Sequence, residues 1–503
     1  MLGLAGAGLF VAALDAYLVV TLLPAMITDV GLTIERFEQA TPILTGFLCG
    51  YVIAMPLLGA YSDFRGRAPV YALCVVVFAV GSVVTATAGS LPWLVAGRVL
   101  QGFGGGGLVP LTLALAADLY EDRARTLALG AISGLQEAGS VFGPIYGATL
   151  ASAASAAGGW RFVFWLNVPL AAICAAGLLM ASRDHGNRTA PDDSKADGAA
   201  RTFDWKSAGL LGLGLGLLVV ALYPDDPDHR ATSGLFIPLG ILSLLVLALY
   251  GWRQLRALEP LIPRQLLRSP RFAGVTAANL LIGAALMVAL VDVPILGRLV
   301  FNLDQLASGL LLTQFLVGVP VGAILGGVVA GRIGERVTAV LGTLLAAAAF
   351  LQMSTWPATE LAIRMGPFRS ADIALAACGL GFGIVIAPLA ATVLQLTRAQ
   401  HHGLASSLVV LARVMGMLIG LSALTAFGLF RFRQILGTPQ LTDPDVRARI
   451  EHLGRLVAAA FLQEYREIFT IAAGMCILAA VVIFATIRRD SSEPALTPSA
   501  PQR

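Results

Sequence analysis

Three charged residues lie inside long apolar segments, where a charge is costly and therefore points to chemistry. Asp15 is in the middle of the first segment, Glu137 lies within GLQEAGS and Arg413 within VLARVMG. On insertion scales such a charge costs about 2.5 to 3.5 kcal/mol at the centre of a membrane helix. A carboxylic acid whose distance to an arginine changes also changes its affinity for a proton. We predict that the three residues form a proton switch in a central cavity.

The alternative is a structural ion pair that only fixes helices against each other. Glu137 and Arg413 fall in equivalent helices of two predicted halves, so we expect them to face each other. Arg413 would then approach or leave Asp15 or Glu137 as the halves move. Asp292, beside Pro294 near the outer end of a later helix, is a secondary candidate, for which simple contact with interfacial water is the competing explanation.

The composition shows which elements must position these residues. Of 503 residues, 57% are hydrophobic and 13% charged, against roughly 25% charged in soluble domains. The mean hydropathy is +0.81. These values exclude a secreted disulfide scaffold, a disordered chain and a nucleic-acid-binding domain. The five cysteines lie in apolar runs, and neither HExxH nor GxSxG occurs, so we predict no metal site, no catalytic residues and no enzyme.

Fourteen apolar segments reach the roughly 20 residues that a helical crossing needs. We therefore predict an all-α polytopic membrane protein of fourteen transmembrane helices, arranged as six, two and six. The predicted parts are a six-helix bundle at 1–182, a cytoplasmic linker at 183–206, two linker transmembrane helices at 207–252, a second cytoplasmic linker at 253–269, a six-helix bundle at 270–487 with a periplasmic extension at about 431–466, and a cytoplasmic tail at 488–503.

The distribution of lysine and arginine predicts the orientation. With both termini inside, 20 basic residues fall in cytoplasmic segments and 12 outside, six of them in the stretch 431–466. Cytoplasmic loops of membrane proteins carry the excess of positive charge. We predict a multi-pass protein of the inner membrane with both termini in the cytoplasm. The start lacks a basic region and a cleavage site, so the first segment is expected to remain as a helix.

Two loops repeat one another. GAYSDFRGR follows the second helix and GVVAGRIGER follows the tenth. Gly59 and Gly66 align with Gly327 and Gly334 at the same separation, but a glycine stands where the first copy has Asp63. Repeated halves with a site at their interface are typical of secondary transporters. The sequence therefore predicts two related bundles.

The first loop has the residues of a conformational latch. The carboxylate of Asp63 can bind the positive end of a neighbouring helix, and Arg65 and Arg67 can pair with acids on another. Gly59 and Gly66 would allow the close approach and the turn. The alternative is a simple positive anchor at the cytoplasmic surface.

Three motifs resemble those of the major facilitator superfamily. The loop is similar to its signature G-x-x-x-D-x-x-G-R, RVLQGFGGG on helix 4 to the R-x-x-Q-G of its drug/proton antiporters, and GSVFGPIYG on helix 5 to their antiporter motif. The matching residues are Gly59, Asp63, Gly66 and Arg67 in the loop, Arg98, Gln101 and Gly102 on helix 4, and Gly139, Gly143, Pro144 and Gly147 on helix 5.

The last two motifs also have a physical interpretation. Gly139, Gly143 and Gly147 recur every four residues and line one helix face, which permits close packing, and Pro144 can kink the helix. We expect this face to seal the contact between the two halves. Arg98 either relays charge, as the resemblance suggests, or binds backbone carbonyls to brace helix 4.

The resemblance is to the fourteen-helix branch, and within it to the mycobacterial exporters of triacylglycerides and drugs that work with a periplasmic lipid-carrying lipoprotein. It implies export of lipids toward the periplasm, driven by the proton gradient and without a cofactor. The partners it implies are membrane lipids, the lipoprotein and hydrophobic drugs, but no nucleic acid. A proton-driven multidrug efflux antiporter is the alternative, and a non-transporting membrane anchor for a lipoprotein is the alternative of another class.

Two outer features fit a large apolar substrate. The helical pattern from 443 to 487 would be about 68 Å long, so the helix must project from the membrane. Its apolar stripe needs a partner, for which Phe430 and Phe432 are suitable. Between helices 9 and 10, TWPATELAIRMGPFRSAD contains a Gly-Pro pair that predicts a short hairpin. We interpret these features as a rim, with loop padding as the alternative.

Overall fold

The computed structural model describes residues 1–30, 41–153, 159–184, 203–223, 232–257, 260–366, 368–436 and 446–487. In these ranges the regular structure is helical except for one two-stranded hairpin. The elements are α1 (Leu2–Asp29), α2 (Thr41–Arg65), α3 (Arg67–Thr87), α4 (Leu91–Leu119), α5 (Asp122–Ala153), α6 (Trp160–Asp184), α7 (Trp205–Leu222), α8 (Phe236–Arg256), α9 (Arg264–Leu267), α10 (Pro270–Leu299), α11 (Gln305–Leu311), α12 (Thr313–Ile333), α13 (Glu335–Met353), a 3₁₀ turn (Glu360–Ala362), β1 (Arg364–Met365), β2 (Phe368–Arg369), α14 (Ser370–Gln395), a 3₁₀ turn (Ala399–His401), α15 (His402–Leu436) and α16 (Val446–Thr486).

Thirteen helical segments of the described chain are long and apolar enough to cross a membrane. The all-α polytopic prediction is confirmed, whereas fourteen crossings stays a prediction. The helix that does not qualify is α5, which has 32 residues but a more polar composition. Because α5 packs between α1 and α12, inside the protein, it can carry polar residues that lipid would not tolerate.

Two bundles repeat the same packing scheme. In the first, α2 and α3 both pack on α4, and α1 packs on α5; in the second, α12 and α13 both pack on α14, and α10 packs on α15. The repeated loops agree as well, because Gly66 and Gly334 have φ angles of 94° and 87°, which side chains rarely adopt. Each of these glycines directly precedes a helix. The repeat predicted from glycine spacing is therefore present in the fold.

Of the two linker helices, α7 lies against one helix of each bundle, α2 and α15. Gly212 and Gly216 of α7 face Ile53 of α2, and the Ser422 hydroxyl of α15 donates to the Leu222 carbonyl at 2.6 Å. The seam between α2 and α15 is thus covered by α7. In contrast, α8 packs on α7 and leaves most of its apolar side chains exposed, as expected of a helix that faces lipid.

An ion pair at the start of α7 joins the two linker helices. Asp204 caps α7 by accepting from the Ser207 backbone at 3.1 Å and pairs with Arg253 of α8, also at 3.1 Å. Partial burial raises the pKa of Asp204, but the hydrogen bonds from Ser207 and the charge of Arg253 outweigh it and lower the pKa from its ordinary value. The pair is therefore charged at neutral pH.

The second bundle projects beyond the first through α15 and α16, of 35 and 41 residues. Phe432 and Phe461 stack with ring centroids 4.2 Å apart, and Arg431 pairs with Glu467 at 2.6 Å. Phe432 is the partner that the sequence indicated. The same expectation for Phe430 is wrong, because 65% of its side chain is exposed and it points away from this contact.

The predicted hairpin is present between α13 and α14. Strands β1 and β2 pair antiparallel, Arg364 opposite Arg369, and Gly366 has a φ of 67° in the turn. Nearby, the guanidinium of Arg466 on α16 donates twice to the Trp356 carbonyl, at 3.0 and 2.8 Å. The hairpin segment and the long helices are therefore joined at one end of the molecule.

The described chain ends lie together at the opposite end. Met1 lines the same small cavity as Arg67, and Arg336 at the start of α13 donates to the Phe484 carbonyl near the end of α16, at 2.6 Å. We call this the latch end, since it contains the repeated loops.

Candidate functional site

Asp15 is the centre of a polar network inside the first bundle. Its carboxylate accepts from Arg98 Nη1 at 2.7 Å, from Asn167 Nδ2 at 2.7 Å and from Gln101 Nε2 at 3.1 Å. The exposed fractions of the Asp15 and Arg98 side chains are both 0%. Three helices, α1, α4 and α6, supply these groups. The buried carboxylate is therefore held by one charged donor and two amide donors.

This geometry corrects two expectations. Asp15 does not pair with Arg413; it is sealed within its own bundle and pairs with Arg98. Arg98 does not brace helix 4 through backbone carbonyls either, because Nη1 binds Asp15 and Gln101 while the guanidinium lies 4.3 Å from the Phe47 ring centroid. Nε and Nη2 of Arg98 are buried with no hydrogen-bond partner in the described chain. Arg98 therefore makes its contacts with side chains, and a relay of charge through it stays a prediction.

Gln101 extends the network and Gly102 makes room for it. The Gln101 amide donates to Ser82 at 2.9 Å, and its oxygen accepts from Thr85 at 3.0 Å. Gly102 lies against the backbone of Phe47, where a Cβ would overlap the carbonyl oxygen. The R-x-x-Q-G motif therefore supplies a charge and an amide on one face of α4, and beside them a glycine that permits close packing against α2.

Glu137 and Arg413 form an ion pair between the two bundles, as their positions in α5 and α15 suggested. Oε1 of Glu137 lies 3.3 Å from Nη2 of Arg413, and the side chains are 19% and 10% exposed. Unlike the Asp15 and Arg98 side chains, which are fully buried, the side chains of this pair are partly exposed. Tyr17 and Tyr51 lie close enough to interact electrostatically with both charges. The site is thus a polar patch at the boundary between the bundles.

The residues predicted to form a latch lie between α2 and α15, and their conformational role stays a prediction. Asp63 accepts from the backbone N–H groups of Gly403 and Leu404 at 2.9 and 2.8 Å, at the first turn of α15. This is a carboxylate on the positive end of a helix. A Cβ on Gly59 would lie 2.5 Å from the Gly403 carbonyl oxygen and 2.9 Å from the Ser407 Cβ. The glycine therefore permits the approach that the acid then holds.

Arg67 ties the latch to two further helices. It pairs with Asp63, with Asp118 of α4 at 3.0 Å, and donates to the Ala399 carbonyl at 3.0 Å. Arg65, expected to pair with an acid, does not do so in the described chain; its side chain is exposed and lies over the Phe64 ring. Arg67 therefore takes part in the contacts of the latch, whereas Arg65 is exposed.

The glycine face of α5 does not lie between the halves as expected. Gly139 faces Ala13, Gly143 faces the Leu14 carbonyl and Gly147 faces Leu18, all on α1 of the same bundle. Pro144 makes a further contact with α1, because its carbonyl oxygen accepts a hydrogen bond from the Thr21 hydroxyl at 3.2 Å. The motif therefore packs α5 on the helix that carries Asp15, and couples the position of Glu137 to that of Asp15.

The contact of α5 with the other bundle lies two turns nearer the latch end. A Cβ on Gly130 would be 2.9 Å from the Gly327 Cα, and one on Gly327 would be 2.8 Å from the Thr126 carbonyl oxygen. Gly327 is the repeat partner of Gly59. The two aligned glycines thus lie at two equivalent crossings between the bundles, α2 with α15 and α12 with α5.

Asp292 is half-buried in the outer part of α10, without a hydrogen bond or ion pair among the described residues. It remains a secondary candidate. Glu464 of α16, buried to all but 6%, is close enough to interact with it and has an unbonded Oε2 in the described chain. Nothing in the described residues forms a cluster of three or more potential metal ligands.

Sequence reasoning missed four residues that these sites use. Asn167 and Glu464 are polar residues inside apolar helices, and this is the signal by which a sequence can indicate them. Asp118 and His402 lie at helix ends, where charged residues are common and no spacing distinguishes them. The four are brought into their sites by tertiary packing.

Two six-helix bundles that repeat one packing scheme, joined by glycine crossings and by an ion pair at their interface, define a polytopic transporter of the rocking-bundle class. The profile of the Major Facilitator Superfamily matches residues 5–421. The chain belongs to this superfamily. The class and the family names point to a transporter and not to an enzyme.

Relatives and solved structures agree with this assignment. The chain is 38% identical to the triacylglyceride transporter of Mycolicibacterium hassiacum, over 97% of this chain and 92% of the relative. It is 39% identical to the triacylglyceride transporter of Mycobacterium tuberculosis, over 93% and 91%. The fold is similar to the human organic anion transporter MFSD10, with a TM-score of 0.61, 19% identity and coverage of 96% and 98%, and to the proton:xylose symporter XylE, with 0.59, 14%, and 96% and 94%.

Proposed function

We propose that this chain is a proton-coupled exporter of lipids, triacylglycerides foremost, that moves its substrate from the inner membrane toward the periplasm. The substrate class is supported by relatives at 38 and 39% identity that are named triacylglyceride transporters. The energy source would be the proton gradient, with no resident cofactor. The observation that carries the proposal is the ion pair of Glu137 and Arg413 at the interface between the bundles.

The pair can act as a switch because its strength depends on one proton. With Glu137 ionised, the charges attract and favour the arrangement in which α5 and α15 are close. A proton on Glu137 removes the attraction and leaves Arg413 free to reorient. Since the pair is partly exposed, a proton would reach it without unfolding of the interface. Rocking of the bundles would then exchange a proton moving in for a lipid moving out.

Asp15 would transmit a change in the Glu137–Arg413 pair to the other helices of the first bundle. The glycine face of α5 places the helix of Glu137 directly on the helix of Asp15. A shift of α5 therefore disturbs the contacts of Asp15 with Arg98 and Asn167. Breaking a buried pair by removing one partner typically costs about 3 to 5 kcal/mol, so the network resists partial states and favours discrete ones.

We further propose that the outer rim hands the lipid to a periplasmic lipid-carrying lipoprotein. The support is the joint projection of α15, α16 and the hairpin at the end opposite the latch. A soluble substrate would not need such a surface, whereas an acyl chain leaving a membrane needs continuous apolar contact.

The test uses purified protein in proteoliposomes with an imposed proton gradient and a fluorescent triacylglyceride. Glu137→Gln removes the proton-binding group of the switch and should lower gradient-driven transfer to an acceptor by about tenfold or more, the size of a typical coupling effect, so that full transfer by this variant would contradict the proposal. Asp15→Asn should lower the transfer as well. Asp29→Asn is the matched control, since Asp29 lies on the same helix but pairs with Arg161 at the helix end. Its transfer should be unchanged.

Full transfer by Asp15→Asn would remove Asp15 from the mechanism. Gradient-independent transfer by the unmodified protein would contradict proton coupling. Gradient-driven extrusion of a cationic dye without any triacylglyceride transfer would instead identify a multidrug antiporter.

A further inference from the structure

The outer part of the second bundle contains a buried carboxyl group that no donor satisfies. Glu464 of α16 is 6% exposed, and its Oε2 is buried without a hydrogen-bond partner in the described chain. Its Oε1 lies against Gly428 of α15, where a Cβ would overlap it. A buried carboxylate without a donor or a counter-charge is strongly unfavourable, so the charge of this group must be removed or balanced.

Asp292 of α10 lies close to Glu464 and adds a second acid to the same place. The two side chains are near enough to interact, and Asp292 too has no hydrogen bond or ion pair among the described residues. Two neighbouring carboxyl groups in apolar surroundings resist being ionised together, because the charge of each opposes the charge of the other. One proton held between two such groups removes one charge and supplies a donor, as in the paired aspartates of aspartic proteases.

The basic residues on the two long outer helices are engaged elsewhere. On α15, the guanidinium of Arg431 pairs with Glu467, one turn along α16 from Glu464, at 2.6 Å. On α16 itself, Arg466 donates to the Trp356 carbonyl at 3.0 and 2.8 Å. The charged groups near enough to affect Glu464 are, within the described ranges, two acids and no base.

The other helices packed around the pair offer no counter-charge either. The short helix α11 has no charged residue, α13 has its one basic residue, Arg336, at the latch end, and α14 has one acid, Asp372, in its first turn. Arg298 of α10 lies beyond Asp292 and is exposed. Tyr465 is buried beside both acids and is neutral at pH 7. Nothing in these described surroundings therefore balances a second negative charge.

The first bundle meets the same need with an arginine. There the acid on the first helix is Asp15, its neighbour on the sixth helix is Asn167, and Arg98 on the fourth helix supplies the positive charge. The corresponding first and sixth helices of the second bundle, α10 and α16, carry Asp292 and Glu464. The corresponding fourth helix, α14, contains no basic residue. A proton can take the place of the missing guanidinium.

We propose that Asp292 and Glu464 hold one proton between them and form a proton-binding site in the outer part of the second bundle. With the proton bound, a hydrogen bond joins α10 to α16; without it, two negative charges repel each other and loosen the contact of these helices. The proposal goes beyond the function proposed above, because it depends neither on the cargo nor on the Glu137–Arg413 pair.

The experiment records infrared spectra of the purified full chain in a detergent without ester groups, over a series of pH values. A protonated carboxyl group has a carbonyl stretching band that an ionised carboxylate lacks. The difference between the spectra of the unmodified protein and a variant therefore counts the protonated carboxyl groups that the variant has lost. Glu464→Gln should lose about one such group at neutral pH, because the remaining acid has an amide donor and no charged neighbour.

A second variant tests whether the two acids share the proton. Asp292→Asn removes the neighbouring negative charge, so ionisation of Glu464 becomes easier and its band should disappear at a pH about one unit lower than in the unmodified protein. Glu467→Gln is the matched control, since Glu467 lies one turn away on the same helix but pairs with Arg431. Its spectrum should keep the band at full intensity. Correct folding of each variant is checked by a single symmetric peak in size-exclusion chromatography.

An unchanged band in Glu464→Gln overturns the proposal, and so does a band in Asp292→Asn that disappears at the same pH as in the unmodified protein. Loss of the band when sodium replaces choline in the buffer would identify a metal cation as the occupant and would overturn it as well. If Glu464→Gln fails to fold, the pH dependence of the band in Asp292→Asn decides alone.

Discussion

The two crossings between the bundles at the latch end are built alike in shape and differently in charge. At one, Gly59 of α2 meets Gly403 of α15; at the other, Gly327 of α12 meets Gly130 of α5. Only the first has an acid, Asp63, because Gly331 takes the equivalent place in the second copy. Both copies of the repeat therefore have the glycine that permits close approach, but only the first has the acid that binds a helix end.

This difference separates what brings the bundles together from what regulates their contact. Backbone-to-backbone approach through glycine involves no titratable group and is hardly affected by salt or pH. Charge-assisted bonds at a helix end depend on both. The stability of the α2–α15 crossing thus depends on charge, whereas that of the α5–α12 crossing depends on close packing.

The strongest challenge to this comparison is Asp63→Ala. The change leaves Arg67 without its closest partner and the N–H groups of Gly403 and Leu404 without an acceptor. Loss of one partner of a buried pair typically costs about 3 to 5 kcal/mol. We expect this variant to be largely open at the latch end, as measured by the distance distribution between spin labels placed on exposed residues of the two bundles. A closed distance distribution in this variant would show that the glycine crossings alone keep the latch shut.

The next effect concerns the uncharged crossing. Gly327→Ala places a Cβ 2.8 Å from the Thr126 carbonyl oxygen, whereas Gly331→Ala, one turn along the same helix, meets nothing closer than 3.7 Å. Overpacking costs about 1 to 3 kcal/mol. We expect a lower midpoint of thermal unfolding or a wider α5–α12 distance for Gly327→Ala only. Equal behaviour of the two variants would contradict the close crossing.

The smallest effect is expected from restoring the missing acid. In Gly331→Asp the new carboxylate would face Arg123, whose Cβ and Cγ lie 3.7 Å from the position of the added Cβ. An exposed ion pair contributes roughly 0.2 to 1 kcal/mol. The closed fraction should rise slightly and the gain should vanish at high salt. A loss of closure would show that the second crossing excludes acids.

Spacing was sufficient for the repeat and for most of the latch. The seven-residue interval between Gly59 and Gly66 recurs between Gly327 and Gly334, and the backbone needs glycine at the second position of each pair because φ is positive there. Such local requirements are legible in one sequence. The position of Asp63 beside a helix end follows from the same loop.

Partners across long stretches of chain were not predictable in the same way. Asp15 and Arg98 are 83 residues apart, and their pairing depends on how α1 and α4 are rotated about their axes. Glycine spacing showed that α5 has a close-packing face but not that α1 covers it. A helix face defines its shape and polarity, whereas its neighbour is decided by the whole bundle.

One uninterrupted helix, α16, connects the projecting end of the molecule to the latch end, so a small tilt at the latch end would become a larger displacement at the projecting end. The helix α16 has 41 residues, and Arg336 holds it near its base. It is about 60 Å long, so a tilt of about 5° would sweep its far tip through about 5 Å. A tilt of this helix alone would therefore make the position of the projecting end depend on the conformation of the latch end.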